Sequence, residues 1–303
     1  MTSPQQSYGT GIGFVLLATL GWSLSGVFVR LMPSLDGWQI NTWRGLWMAV
    51  AILIYLIAVY GDKTWDKFKA VPLPALMISA FFFTVGSTLY VTSLTLVATA
   101  VVSVIGATSP IFTGLASRWV TGERAGRAAI IAALIALGGM FVIAWEGLED
   151  GNLTGILVSL GVPICFAGQT LLLRKYRDVD MVPAICVGGV LTFFVAGFGG
   201  FLAGHAAGGF DVGPQEITIL ALMGPLQLAA PLIFYVWGAR SVNAVTLSLL
   251  AMLDAVLNPL WPWLFVNEVP SAMALIGGSI IVLAVLISIF GPRYFARDSE
   301  VSA

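Results

Sequence analysis

A lone carboxylate in the run LAMLDAVLNP raises the first chemical question. Asp254 lies inside the apolar stretch from Val245 to Val266, with no basic residue near it in sequence. On a helix, Asn258 is one turn further on and points the same way, and Ala251, about one turn back, leaves room beside the acid. Ser248 lies further back and partly round the helix. Such a face suits the wall of a wet cavity, where Asp254 receives a substrate ammonium or carries a proton. The competing role is structural, an acid holding a neighbouring helix by a hydrogen bond. A carboxylate at mid-membrane costs about 2.5–3.5 kcal/mol on insertion scales, and acids kept at that cost usually face a cavity or a partner.

A second group combines rings with neutral polar ends. Trp22, with Ser23 and Ser25, stands at mid-depth in an apolar run, and Phe166 and Gln169 hold the same spacing 144 residues later. Aromatic faces flanked by hydroxyl and amide groups suit a small amphipathic solute. With ten Trp and 18 Phe in the chain, packing and lipid contact compete for every one of these rings. Gln227, between Pro225 and Pro231, reads as a cavity amide beside a broken helix. Tyr90 and Tyr235 read as gate residues at opposite ends of the protein, against the commoner interfacial role of tyrosine. Arg30 and Arg44 read as cations that snorkel to lipid phosphate, the alternative being attraction of a passing carboxylate.

The elements that must position these residues follow from composition. Of 303 residues, 58% are hydrophobic and 10% charged, against about 25% charged in soluble domains. Mean hydropathy is +0.96. The expectation is an all-α membrane protein. A net charge of −1 gives no reason to expect nucleic acid as a partner. Cys165, Cys186 and the single histidine, His205, supply neither a disulfide framework, a metal site nor a Ser/His/Asp triad. No nucleotide, haem or zinc motif is present, so no cofactor is expected.

Spans of roughly 20 apolar residues fall at 11–31, 40–60, 73–94, 97–119, 128–146, 153–173, 182–204, 217–238, 244–266 and 272–290, ten in all. The first is read as a retained span because MTSPQQSYGTG lacks a basic signal region. Placing both termini in the cytoplasm puts twelve of the 14 basic residues on the inner side and leaves only Arg30 and Arg44 outside.

The chain also repeats itself. At a shift of 145, LYVTSLTLVATAVVSVIGATSPIFTGLASRWVTGE from Leu89 lies without a gap on FYVWGARSVNAVTLSLLAMLDAVLNPLWPWLFVNE from Phe234. Tyr90 meets Tyr235, Ser103 meets Ser248 and Glu123 meets Glu268; at 144, Arg30 meets Arg174. Five spans per copy is an odd number, so residues 1–150 and 151–303 must enter the membrane in opposite senses. Two inverted five-helix repeats with a midplane site between them are a mark of secondary transporters.

SPIFTGLASRWVTGER and its echo LDAVLNPLWPWLFVNE resemble the drug/metabolite transporter superfamily in its EamA-type branch. That family carries a small residue plus proline, an apolar helix and a Gly-Glu turn in each half. Ser109, Pro110, Gly122 and Glu123 match the first copy; Asp254-Ala255 and Asn267-Glu268 depart from the usual Glu-Pro and Gly-Glu of the second. Within the branch, the chain is most similar to bacterial exporters of aromatic and other amino acids. The resemblance implies a multi-pass protein of the bacterial inner membrane, with the lipid bilayer and a small-molecule substrate, an amino acid or other metabolite, as partners. Export or import of cationic drugs through the same scaffold, a membrane-embedded lipid-modifying enzyme, and a channel are the other readings. The sequence sets no oligomeric state.

Overall fold

Among the described residues every regular element is helical. The computed structural model describes residues 7–96, 102, 105–123, 126–144, 153–257, 261, 264 and 272–301. The helices are α1 (Tyr8–Trp22), α2 (Ser25–Arg30), α3 (Gly37–Tyr60), α4 (Thr64–Ala70), α5 (Leu73–Leu96), α6 (Ser109–Val120), α7 (Arg127–Ala144), α8 (Leu153–Lys175), α9 (Val182–Leu202), α10 (Pro214–Met223), α11 (Ala230–Gly238), α12 (Ala244–Ala251), α13 (Leu253–Leu257) and α14 (Ala272–Val301). A π-helical turn, Gly224–Ala229, joins α10 to α11.

Among the described residues, six helical stretches are long and apolar enough to cross a membrane: Tyr8–Val29, Gly37–Ala70, Leu73–Tyr90, Thr154–Lys175, Val182–Leu202 and Pro214–Gly238. Ala128–Val142 and Leu275–Ser288 are shorter apolar helices at the expected fifth and tenth spans. The protein is a multi-pass membrane protein. The fourth and ninth spans differ from the continuous helices the sequence predicts. The fourth turns at Ala107 and Thr108 before α6, and the ninth turns at Met252 between α12 and α13. The two turns begin 145 residues apart. Span one is also interrupted, at Ser23 and Leu24.

Local chemistry sets the ends of these elements. Asp36 and Gln39 form a reciprocal capping box at the start of α3. Asn243 caps α12 by accepting from the Thr246 amide. Pro110, Pro183 and Pro214 occupy helix starts, where a missing N–H costs nothing. Gly122 turns the chain after α6 at φ 75, a backbone that side-chain-bearing residues resist.

Apolar helices in a bilayer associate by close packing of small residues. Gly45 of α3 and Gly189 of α9 face each other, so that a Cβ on Gly189 would lie 2.8 Å from the Gly45 carbonyl oxygen. Gly139 of α7 meets the Gly277 carbonyl of α14 in the same way. Gly21 of α1 takes Pro231, and Gly168 of α8 takes the Phe82 ring of α5. The main packing pairs are α3 with α9, α7 with α14, α5 with α8, α5 with α9, and α1 with α11. The small-residue stripe Ala196–Gly200–Gly204 serves a loop instead: Gly200 lies against Gly208 and Gly209, and Gly204, at φ 91, follows the end of α9.

The ends of α3, α8 and α11 meet at one end of the bundle, where Arg174 and Arg240 lie. There Arg174 donates to Glu123 at 2.6 Å and to the carbonyls of Ala239 and Arg240. Glu123 also accepts from the Ala244 amide at the start of α12. Tyr60 donates to Asp180 at 2.8 Å, and Arg240 lies 3.6 Å from the same carboxylate. These contacts tie the ends of six helices together.

Candidate functional site

A cavity of about 370 Å³ lies among α1, α3, α5, α8, α11 and α12, a size in the range of small-molecule sites. Its lining residues on α5 run from Phe82, near the middle of that helix, to Tyr90, further from the basic end. Nine of the ten candidate residues line it: Trp22, Ser25, Tyr90, Phe166, Gln169, Gln227, Tyr235, Ser248 and Asp254. Asn258 lies outside the described residues.

Three rings pack together on the cavity wall. Trp22 meets Tyr235 at 5.2 Å between centroids and Phe166 at 6.3 Å, and Phe166 meets Tyr235 at 5.8 Å. Edge and tilted contacts of this kind are favoured by the ring quadrupoles. Tyr235 is 1% exposed and shares a 2.8 Å hydrogen bond with Thr170. That burial removes it from any interfacial belt. Tyr90, by contrast, is 37% exposed and lines the cavity toward the other end, within electrostatic reach of both Arg44 and Asp254.

The polar groups divide into satisfied and unsatisfied sets. Ser248 and Thr113 share a 2.9 Å hydrogen bond that joins α12 to α6. Gln169 donates to Ser79 at 2.9 Å, and Gln227 donates to the Trp22 carbonyl at 3.5 Å. The side-chain carbonyls of both glutamines are buried without a partner among the described residues. Asp254 follows the turn at Met252, and its Oδ1 is likewise buried and unpartnered. No Lys or Arg ion-pairs with it among the described residues. The π-helical turn brings Gln227 to the wall. Its wider backbone replaces the break expected from Pro225 and Pro231 and packs Gly224 against Trp47 and Met48.

Arg44 overturns its sequence reading. A snorkelling arginine keeps its head in water, yet Arg44 is 8% exposed and lines the cavity. Its Nη2 donates to Asn41 at 2.9 Å and to Ser87 at 3.1 Å, and Ser87 donates to the same Asn41 oxygen at 2.6 Å. Asn41 and Arg44 lie three apart on one helix face, but only the packing of α3 against α5 brings Ser87 to them.

This arrangement, a polar-tipped aromatic cavity inside a helical membrane bundle, agrees with comparison to known proteins. Residues 9–145 match the EamA-like transporter family. An uncharacterized transporter of Bacillus subtilis (strain 168), YdfC, is 26% identical over 191 residues. The match covers 61% of this chain, and the chain spans 61% of the length of that relative. A crystal structure of a protein shares the fold over 95% of this chain and 99% of its own, at a TM-score of 0.77 and 18% identity. The EamA-like segment contains Trp22, Ser25, Arg44 and Tyr90, whereas Phe166, Gln169, Gln227, Tyr235, Ser248 and Asp254 come from beyond it.

Proposed function

We propose that the protein is a secondary transporter that moves small organic solutes out of the cell, amino acids including aromatic ones foremost, by alternating access through the central cavity. The observation that carries this reading is Asp254, a buried acid with no cationic partner among the described residues, on the wall of a cavity that the three packed rings also line. An unpaired buried carboxylate is costly unless something else meets it, and an ammonium group entering the cavity does so.

An inverted pair of five-helix repeats supports alternating access. Exchanging each span with the one five places on leaves the packing pairs unchanged: span two with seven, five with ten, and one with eight for six with three. The helix turns at Ala107 and Met252 share the 145-residue shift of the sequence repeat. Under the positive-inside rule the basic end is cytoplasmic, so the sealed end faces inward and the cavity belongs to the outward side. Tyr235 then closes the floor as a gate, and Tyr90 stands at the mouth.

The test is flux in liposomes containing the purified protein, with a panel of labelled amino acids, with and without a proton gradient. Saturable flux of aromatic amino acids is expected. A second reading, transport of lipophilic cations, is favoured by the same unpaired acid beside the same rings. Movement of such cations with no movement of amino acids would replace the first reading by the second.

A further inference from the structure

Unmet hydrogen-bond capacity in the cavity is sorted by sign. Buried groups left without partners normally find one in a ligand or water. Where Asp254, Gln169 and Gln227 line the wall, the unmet atoms are acceptors: a carboxylate oxygen and two amide oxygens. At Arg44 they are donors. Arg44 Nε and Asn41 Nδ2 are both buried without an acceptor, and no carboxylate pairs with the guanidinium among the described residues. Among the described residues its hydrogen bonds go only to neutral oxygens, through Nη2.

Burying a guanidinium against neutral groups alone leaves its charge uncompensated, a costly arrangement in a low-dielectric wall. Asn41 and Ser87 hold one edge of the planar group by Nη2 and so fix its orientation. The fork of an arginine matches a carboxylate better than any other side chain does. From this we infer that Arg44, set in place by Asn41 and Ser87, is the receptor for the carboxylate of the transported solute. The inference rests on the transporter reading of the same cavity and narrows its cargo to zwitterions. The solute lies with its ammonium toward Asp254 and its carboxylate toward Arg44. Tyr90, within reach of both charges, stands beside it. A lipophilic cation satisfies only one of these ends.

Three ligands with one ring and different ends separate the possibilities: phenylalanine, phenethylamine, which lacks the carboxylate, and 3-phenylpropionate, which lacks the amine. Their binding to the purified full-length protein is measured by calorimetry, for the natural protein and for R44Q. Phenylalanine and 3-phenylpropionate are expected to weaken by about tenfold or more in R44Q, the scale of one charge-assisted contact. Phenethylamine is expected to keep its affinity or gain some, which a general loss of structure would not allow. Should R44Q fail to fold, R44K keeps the charge but not the fork, and the same selective weakening is expected at a smaller size.

Equal affinities of 3-phenylpropionate for the natural protein and R44Q would overturn the carboxylate role. Binding of phenethylamine alone by the natural protein would also overturn it, while leaving a cation transporter standing. Binding of none of the three, together with no amino-acid flux in liposomes, would remove the transporter reading for such solutes and this inference with it.

Discussion

Asp254 is the residue whose chemistry is easiest to isolate, because Asp254→Asn keeps its shape and removes its charge. If the acid receives an ammonium group, the variant is expected to lose about tenfold or more in flux of amine-bearing solutes, with unchanged yield and unchanged thermal midpoint in detergent. Flux equal to that of the natural protein would leave Asp254 with a packing role only. Tyr235→Phe probes a different bond. It removes the hydroxyl shared with Thr170 and keeps the ring against Trp22 and Phe166. Because Thr170 also donates to the Phe166 carbonyl, the loss is expected to be about 1 kcal/mol, read as a small fall in thermal midpoint. Both residues were legible in the sequence, one as an isolated acid and one through the repeat. Arg44 was not, because a cation near a helix start is usually a snorkelling one, and its capture by Asn41 and Ser87 needs two helices brought side by side. Glu123 was legible as a turn residue, yet its ion pair with Arg174 crosses 51 residues of chain and only the fold reveals it.

At the scale of elements, the apolar runs announced the helices and their number better than their continuity. Spans of uniform hydropathy hide backbone turns, because a turn at Ala107 or Met252 on a cavity wall carries no charge or proline of its own. The π-helical turn at Gly224–Ala229 was half visible: Pro225 and Pro231 signalled irregular backbone, though not which kind. Packing between elements makes a sharper prediction. Gly189→Val places two methyl groups where Met48, Ala49 and the Gly45 carbonyl already stand. Overpacking of this kind costs about 1–3 kcal/mol, so a clear drop in thermal midpoint is expected, and an unchanged midpoint would mean that α3 and α9 sit further apart. Gly122→Ala tests a turn in place of a helix contact. Nothing lies within 4 Å of a Cβ added there, so only the backbone at φ 75 resists it. The expected cost is about 1–2 kcal/mol, and it falls on the turn that presents Glu123 to Arg174.

For the whole molecule, the decisive matter is whether the sealed end opens during turnover. Two sets of contacts close it, Glu123 with Arg174 and the carbonyls of Ala239 and Arg240, and Asp180 with Tyr60 and Arg240. Glu123 with Arg174 and Tyr60 with Asp180 join the two halves of the sequence, so a molecule that alternates must break those two contacts in every cycle, whereas a fixed pore need not. Cysteines at positions 123 and 174, in a background where the buried Cys165 and Cys186 are serines, allow that end to be tied with a short thiol-specific cross-linker. Replacing the ion pair by itself is expected to permit flux, because it removes a contact of the closed state only. Cross-linking is expected to abolish flux while phenylalanine still binds, since the cavity lies on the other side of the tie. The single-cysteine variants treated with the same reagent should keep their flux. Full flux through the cross-linked protein would mean that this end never opens and that the two halves do not exchange access, whatever solute the cavity holds.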